Sequence, residues 1–248
     1  MPLPTDHRPW PPPARRPDGS MVWQDLLFAH WPVPAAALRP LIPPALDVDT
    51  FDGQAWLGVV PFTMARVRPW WSPSLPWLSS FPELNVRTYV TRGGKPGVWF
   101  FSLDAGNPVA VRIARRFFHL PYFDAKFSIE RRDGGLAYDC RRTHRRAPPA
   151  ALTCRYRPTG LVYPAQLGDL DHWLTERYCF YAADRRGRLH RTDVHHEPWP
   201  LRPAEAEIEV DTMTGWLGID RPEKPALLHF ARRLEVVGWK PERVSRQE

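Results

Sequence analysis

A β-rich α+β fold in one domain is what this sequence predicts, on three observations. Thirty prolines stand against fifteen glycines, a balance that ends helices and suits strand edges and turns. Twelve tryptophans and twelve phenylalanines supply the large rigid surfaces of a packed sheet or an aromatic-lined cavity. Short apolar or alternating runs recur between turn signals such as Asp52-Gly53, Gly93-Gly94 and Asp133-Gly134-Gly135, the punctuation of hairpins and meanders. A chain of 248 residues can bury a substantial core as a single domain.

Residues 1–20 contain seven prolines and almost nothing apolar, which predicts a flexible, extended tail. The domain is expected over residues 21–244. Val22 to Trp31 reads as a strand, and Pro34 opens a short helical turn through Leu38. Asp52-Gly53 joins two strands in a hairpin, the second covering Ala55 to Ala65. Pro69 to Ser80, rich in proline, tryptophan and serine, reads as a long loop, whose tryptophans either cap a cavity or seal the core.

The most informative stretch is Phe81 to Val90. Its strict alternation sends Leu84, Val86, Thr88 and Val90 to one face and Glu83, Asn85, Arg87 and Tyr89 to the other. The polar face is either solvated, as on half-buried antiparallel strands, or one wall of a pocket, which the aromatic and apolar flanking segments favour. Val98 to Leu103 follows as a buried strand. Asn107-Pro108 then makes an N-cap and first-turn pair, with Val109, Ile113 and Phe117 as the expected apolar stripe of a helix ending before Pro121. Phe123 to Arg131, Leu136 to Thr143 and Ala151 to Tyr156 read as a three-stranded meander. A short helix holds Leu170, Trp173 and Leu174, with Asp169 as its cap, and further strands run to Val237.

Charge and cysteine usage narrow the function classes. The net charge of +7 is almost all arginine, with lysine only at 95, 126, 224 and 240. The densest basic run, Arg141 to Arg146, accompanies no nucleic-acid motif and reads as a solvated face. Three cysteines without Cys-x-x-Cys spacing argue against a disulfide framework. The N-terminus lacks a signal-peptide pattern, and no apolar run is long enough to span a membrane. A cytoplasmic protein is expected, with no cofactor. His195 and His196 would point to opposite sides of a strand and have no third ligand at a recognised spacing, so no metal site is assigned.

Several blocks together resemble the YqjF-like family, a bacterial group of unknown function. They are Phe28-Ala-His-Trp31, Gly58-Val-Val-Pro-Phe62, Phe81 to Val90, Phe117-Phe-His-Leu-Pro-Tyr122, Leu174-Thr-Glu-Arg-Tyr-Cys179, Pro198-Trp-Pro200 and His229-Phe-Ala-Arg-Arg233. The resemblance implies the acetoacetate-decarboxylase-like fold, an antiparallel cone or barrel with few helices around an internal cavity. In the decarboxylases a Gly-Arg-Glu-x-Trp-Gly-x-Pro-Lys-Lys segment carries the Schiff-base lysine and the cation that lowers its pKa, an arrangement that serves as a standard example of an activated nucleophile. The similar segment here is Ala114 to Phe123. Arg115 keeps the arginine, while Tyr122 and Phe123 stand where both lysines would be, and neither side chain can form an imine. Glu83 is the implied counterpart of the decarboxylases' pocket glutamate.

Glu83 and Tyr122 are therefore the candidate acid–base residues. Asn85, Arg87, Arg115, His119, Lys126, Glu176 and Tyr178 are candidates for contacting a small anionic or carbonyl-bearing molecule. Against this stand structural roles: polar groups pairing with one another to close the sheet, a solvated Lys126, and Glu176 to Tyr178 as an ordinary helix end. The expected function is small-molecule binding with lyase- or hydratase-like chemistry. Its alternatives are a non-catalytic binding or sensing protein and, through the arginine run, a nucleic-acid binder; a homo-oligomer is compatible with each.

Overall fold

The computed structural model describes residues 4–71 and 79–245. Thirteen strands form one sheet among the described residues. They are β1 (Gly19–Val33), β2 (Asp47–Val48), β3 (Ala55–Pro69), β4 (Phe81–Arg92), β5 (Lys95–Ala105), β6 (Tyr122–Arg132), β7 (Gly135–Arg142), β8 (Ala151–Pro158), β9 (Cys179–Ala183), β10 (Leu189–His196), β11 (Leu201–Asp211), β12 (Leu227–Gly238) and β13 (Glu242–Arg243). The helices are short: α1 (Ala35–Leu38), α2 (Pro108–Ile113) running into a π-helical turn over Ala114–Phe118, and α3 (Leu170–Thr175). None is long and apolar enough to cross a membrane.

The fold is β-rich as expected, but it is not a clean barrel. The row β12–β1–β3–β4–β5 belongs to two closed circuits. One is completed through β9 and β10 and the other through β6, β7, β8 and β11. The forks lie within single strands: β5 pairs with β9 at Val98 and Trp99 and with β6 from Leu103 to Ala105. Both of these pairings are parallel, where an all-antiparallel sheet was expected. A parallel neighbour needs a crossover, and α2 with its π turn supplies it between β5 and β6.

Because the shared strands are covered on both sides, their alternation separates two cores. Leu27, Ala29, Trp31, Leu57, Val59, Leu84 and Val86 pack with Tyr138, Cys140, Leu152, Cys154 and Tyr156 on one side. Leu26, Phe28, Val60, Phe62, Leu103, Ala105 and Tyr122 pack with Trp199, Leu201 and Ala231 on the other. The three cysteines are buried free thiols.

The expected turns and caps form. Asp52 and Gly53 both have positive φ, 49° and 77°, the backbone a tight two-residue hairpin turn requires. Asn107 Oδ1 accepts from the backbone N–H groups of Val109 and Ala110 at 3.0 and 3.1 Å, whereas Asp169 stands before α3 without a side-chain capping bond.

Three further expectations need correction. The N-terminal tail does not stay apart: Arg8 is buried over the Tyr178 ring, at 4.6 Å, and donates to the Val194 carbonyl at 2.6 Å, while Trp10 Nε1 donates to Asp193 at 3.2 Å. A few large side chains anchor what composition reads as loose. In α2 and its π turn, Val109, Ile113 and Phe117 face solvent; Val111 is buried, with Ala110, Ala114 and Phe118 packed beside it. Apolar residues on both faces of so short a helix leave its periodicity undecided. The basic run is not wholly solvated either, since Arg142 makes a buried bidentate pair with Asp104, at 2.7 Å on both oxygens. The loop from Pro69 to Ser80 lies at 72–78 outside the described residues; Trp70 and Trp71 at its start are exposed.

Removing one member of the Asp104–Arg142 pair strands a charge in the core. Arg142→Met is expected to lower unfolding free energy by about 3–5 kcal/mol, and Asp104→Leu/Arg142→Met to recover most of it. Urea denaturation of both variants checks this.

Candidate functional site

Register across the shared strands assembles the candidate residues on the Phe28/Phe62 side. Phe62 pairs with Glu83 and Glu83 with Ala105. In the next row Val60 pairs with Asn85, Asn85 with Leu103, and Leu103 with Tyr122. In a third, His30 pairs with Gly58 and Gly58 with Arg87. The polar alternation of β4 therefore points into the protein. Glu83 is 1% exposed, Asn85 7%, and Tyr122, one row along and two strands away, is 7%.

Tyr122 donates its hydroxyl hydrogen to Glu83 Oε2 at 2.9 Å. Behind the strand, Tyr138 donates to the backbone carbonyl of Glu83 at 2.8 Å and fixes its position. Burial pushes the Glu83 carboxyl up to about 8, with the Tyr122 hydroxyl and the Asn85 amide pulling in the opposite direction. Desolvation wins because no cation among the described residues is paired with this carboxylate. The Tyr122 phenol is driven well above its ordinary range by burial and by Glu83 itself. Asn85 Oδ1 is buried without a hydrogen-bond partner among the described residues.

Arg87 reaches Tyr89 Oη at 3.2 Å and the Leu174 carbonyl at 3.4 Å, with its guanidinium over the rings of Phe28 and Tyr89. Its Nε is buried and has no hydrogen-bond partner among the described residues. His30, fully buried, joins the same network through Nε2, 2.7 Å from Tyr89 Oη. A Cβ on Gly58 would lie 3.2 Å from the His30 ring and 3.3 Å from Arg87 Cγ, so glycine there allows both side chains to converge. Sequence reasoning missed His30 as a site residue. Its signal was a histidine of inward parity in the apolar and aromatic run from Leu26 to Val33.

Other candidates fall elsewhere. Glu176 and Tyr178 are buried, but they hold structure together: Glu176 Oε1 accepts from the Trp199 backbone N–H at 2.8 Å and Oε2 from the Tyr178 hydroxyl. Arg115 is exposed and donates to the Tyr122 carbonyl at 2.6 Å, tying the π turn to β6. His119 packs against His190, 4.7 Å between ring centroids, away from Glu83. Lys126 is exposed on β6. It shares Tyr122's face, but four residues at about 3.3 Å each carry it roughly 13 Å along the strand, past the covering core. No cluster of three or more metal-ligating side chains occurs among the described residues. Two grooves, of about 430 and 480 Å³, open elsewhere, beside Asp25 and Phe127 and beside Arg141 and Pro149. Neither is the internal cavity expected around Glu83.

The folded protein holds the Glu83 proton to higher pH than the unfolded chain does. Its contribution to stability must therefore be greatest below the ordinary carboxyl pKa, 4.5, and must be lost as pH rises through about 8, a change on the order of 5 kcal/mol. Glu83→Gln is expected to remove this slope, which unfolding free energies measured from pH 4 to 9 would reveal.

Comparison with known proteins agrees with this architecture. Residues 20–235 match the family DUF2071, described as an uncharacterized conserved protein. The uncharacterized protein YqjF of Bacillus subtilis (strain 168) is 46% identical over 227 residues, covering 90% of this chain and 93% of the relative. Among solved structures, an acetoacetate decarboxylase superposes with a TM-score of 0.62 at 12% identity, covering 93% of this chain and 90% of its own. The enduracididine biosynthesis enzyme MppR, complexed with the condensation product of pyruvate and imidazole 4-carboxaldehyde, gives 0.58 at 12%, covering 91% and 90%. At such identities the likeness is one of fold. The chain belongs to the DUF2071 family, is similar to YqjF, and has a fold that resembles that of the acetoacetate decarboxylases.

Proposed function

We propose that this protein binds a small carbonyl- or carboxylate-bearing molecule against the Glu83, Asn85, Arg87 and Tyr122 side of the sheet, and that Glu83 and Tyr122 exchange a proton with it. The observation that carries this reading is the 2.9 Å bond between the Tyr122 hydroxyl and a buried Glu83 carboxyl. It is supported by two polar atoms without partners among the described residues on the same face of β4, Asn85 Oδ1 two residues along from Glu83 and Arg87 Nε four residues along, which buried groups rarely leave unused. MppR, of similar fold, is complexed with a pyruvate-derived product, a ligand of the same chemical class.

The chemistry follows from the charge states. With its pKa near 8, Glu83 is largely a neutral acid at pH 7 and can donate to a carbonyl oxygen. As that oxygen gains negative charge, the carboxyl proton moves to it. The Tyr122 hydroxyl and the Asn85 amide then stabilise the carboxylate left behind. A cationic guanidinium at Arg87 suits a ligand carboxylate. Tyr122 and Phe123 offer no amine for an imine, so the chemistry is proton transfer without a covalent intermediate on this segment.

A thermal-shift screen of small carboxylic acids, oxo acids and aromatic metabolites tests the reading on wild type, Glu83→Gln and Tyr122→Phe. Ligands of one class are expected to raise the wild-type melting temperature and to lose most of that effect in both variants. Turnover of such a ligand should decline as pH rises through about 8, since the acid form is required. A class that stabilises all three proteins equally would remove Glu83 and Tyr122 from the site. Binding without conversion would make the protein a binder or sensor.

A further inference from the structure

The circuit completed by β6, β7, β8 and β11 has a groove of about 430 Å³ at one end, formed by β1, β3, β4, β6 and β7. Thr63 and Pro82, paired across β3 and β4, line it, whereas their neighbours Phe62 and Glu83 face the other side of the sheet. Phe127, Ile129 and Arg131 line it from alternate positions of β6, and Leu136 joins them from β7. The pairing of β6 with β5 ends at Asp124, so the later part of β6 stands apart from β5 and the groove lies beside it. Its volume falls within the roughly 300–1,000 Å³ of small-molecule sites, which occur in the mouths of barrels.

Gln24 and Asp25 are neighbours in β1, yet both line this groove. A regular strand forbids that, because successive side chains point to opposite faces. A bulge permits it: β1 runs from Gln24 to Ala29 while its partner β3 covers only Thr63 to Val59, and Asp25 has φ 56°, a region few residues other than glycine enter. Tyr156 donates to the Asp25 carbonyl at 2.8 Å and holds the bulge from inside. The outcome is an aspartate only 5% exposed at the edge of the groove, the re-aiming of a side chain for which bulges are used.

The charges there do not cancel. Asp25 Oδ2 accepts from Arg131, and Oδ1 lies 3.6 Å from Arg232 of β12, so one carboxylate meets two guanidiniums. A guanidinium carries five N–H donors, and Asp25 is the only hydrogen-bond acceptor of Arg131 among the described residues. The Arg131 side chain is 54% exposed, and its other donors are open to an occupant of the groove.

We propose that this groove is a second ligand site, separate from Glu83, and that it takes an amphipathic monocarboxylate. The apolar body lies against Pro82, Phe127, Ile129 and Leu136, and the carboxylate accepts from Arg131, which Asp25 positions. The excess charge is single, so it matches one carboxylate; a phosphate monoester would bring a second negative charge toward Asp25, and an ammonium would face Arg131.

The probes are octanoate and 3-phenylpropionate, their amides, the amines octylamine and 3-phenylpropylamine, and acetate as a carboxylate without an apolar body. In intact wild-type protein with carbon-13 in the isoleucine δ-methyl groups, the first two should shift the Ile129 signal, identified by its loss in Ile129→Val, and leave that of Ile113, exposed on α2, in place. The carboxylates should bind about fivefold or more tightly than their amides, the advantage of a charge-assisted bond to a partly exposed guanidinium, and acetate and the amines should not saturate the shift. Arg131→Gln should reduce the carboxylates to the affinity of the amides, and Glu83→Gln should leave both unchanged. Absence of an Ile129 shift with every probe, or equal shifts at Ile113 and Ile129, overturns the site without requiring a variant to fold. Equal affinity for carboxylates and amides, or tighter binding of the amines, overturns its assignment to an anion. Loss of carboxylate binding in Glu83→Gln would move the ligand to the other side of the sheet and overturns the separation of the two sites.

Discussion

Five strands, β12–β1–β3–β4–β5, are shared by two closed circuits, and most of what is unusual about the molecule descends from that sharing. A strand with solvent on one side can put its polar residues there. Here both sides of the central strands are filled, by Leu84, Val86 and Tyr138 on one and by Phe28, Phe62 and Leu103 on the other. A polar side chain buried between these layers must therefore find a partner inside or remain unsatisfied, at a cost comparable to a lost hydrogen bond or more.

The solutions differ between the two sides. Asp104 is neutralised by Arg142 with two short bonds on a side chain that solvent barely reaches. That arrangement is complete and has no capacity left for a ligand. On the other side the pairing is incomplete. Glu83 has a phenol rather than a cation, and Arg87 has a phenol and a backbone carbonyl rather than a carboxylate. The nitrogens of His30 and His229 are each satisfied on one side only. A carboxyl held up by burial and a guanidinium without an ion-pair partner among the described residues thus stand four residues apart on the same face of one strand.

The periphery supports this interior. The π turn after α2 brings Tyr122 into register with Leu103 and is tied to β6 by Arg115. Helix α3 closes the Arg87 end, with the Leu174 carbonyl accepting from Arg87 and the Trp173 ring packed at a tilt against Tyr89. Glu176 anchors Trp199, which meets the edge of Phe28, and the buried Arg8 covers Tyr178. Residues that look like ligand contacts in the sequence thus serve as fasteners one layer out.

Local signals were legible wherever the physics is local. Alternation in Phe81 to Val90 placed Glu83, Asn85 and Arg87 on one face, the turn glycines marked the hairpins, Asn107 marked the start of α2, and the ordered motif blocks pointed to the family. Which face is buried, and how far cover extends along a strand, is decided only by the elements that pack over it. Tyr122 and Lys126 share a face, yet only Tyr122 lies beneath the second core. Val109 and Val111 are equally apolar, but the sheet lies against only one of them. The pairing of His30 with Tyr89 and of His229 with Asp171 joins residues far apart in the chain. Sequence by itself determined the residue types and their alternation, because backbone geometry repeats every two residues. The circuits that bury both faces, and so convert ordinary polar residues into partners for one another, belong to the tertiary structure alone.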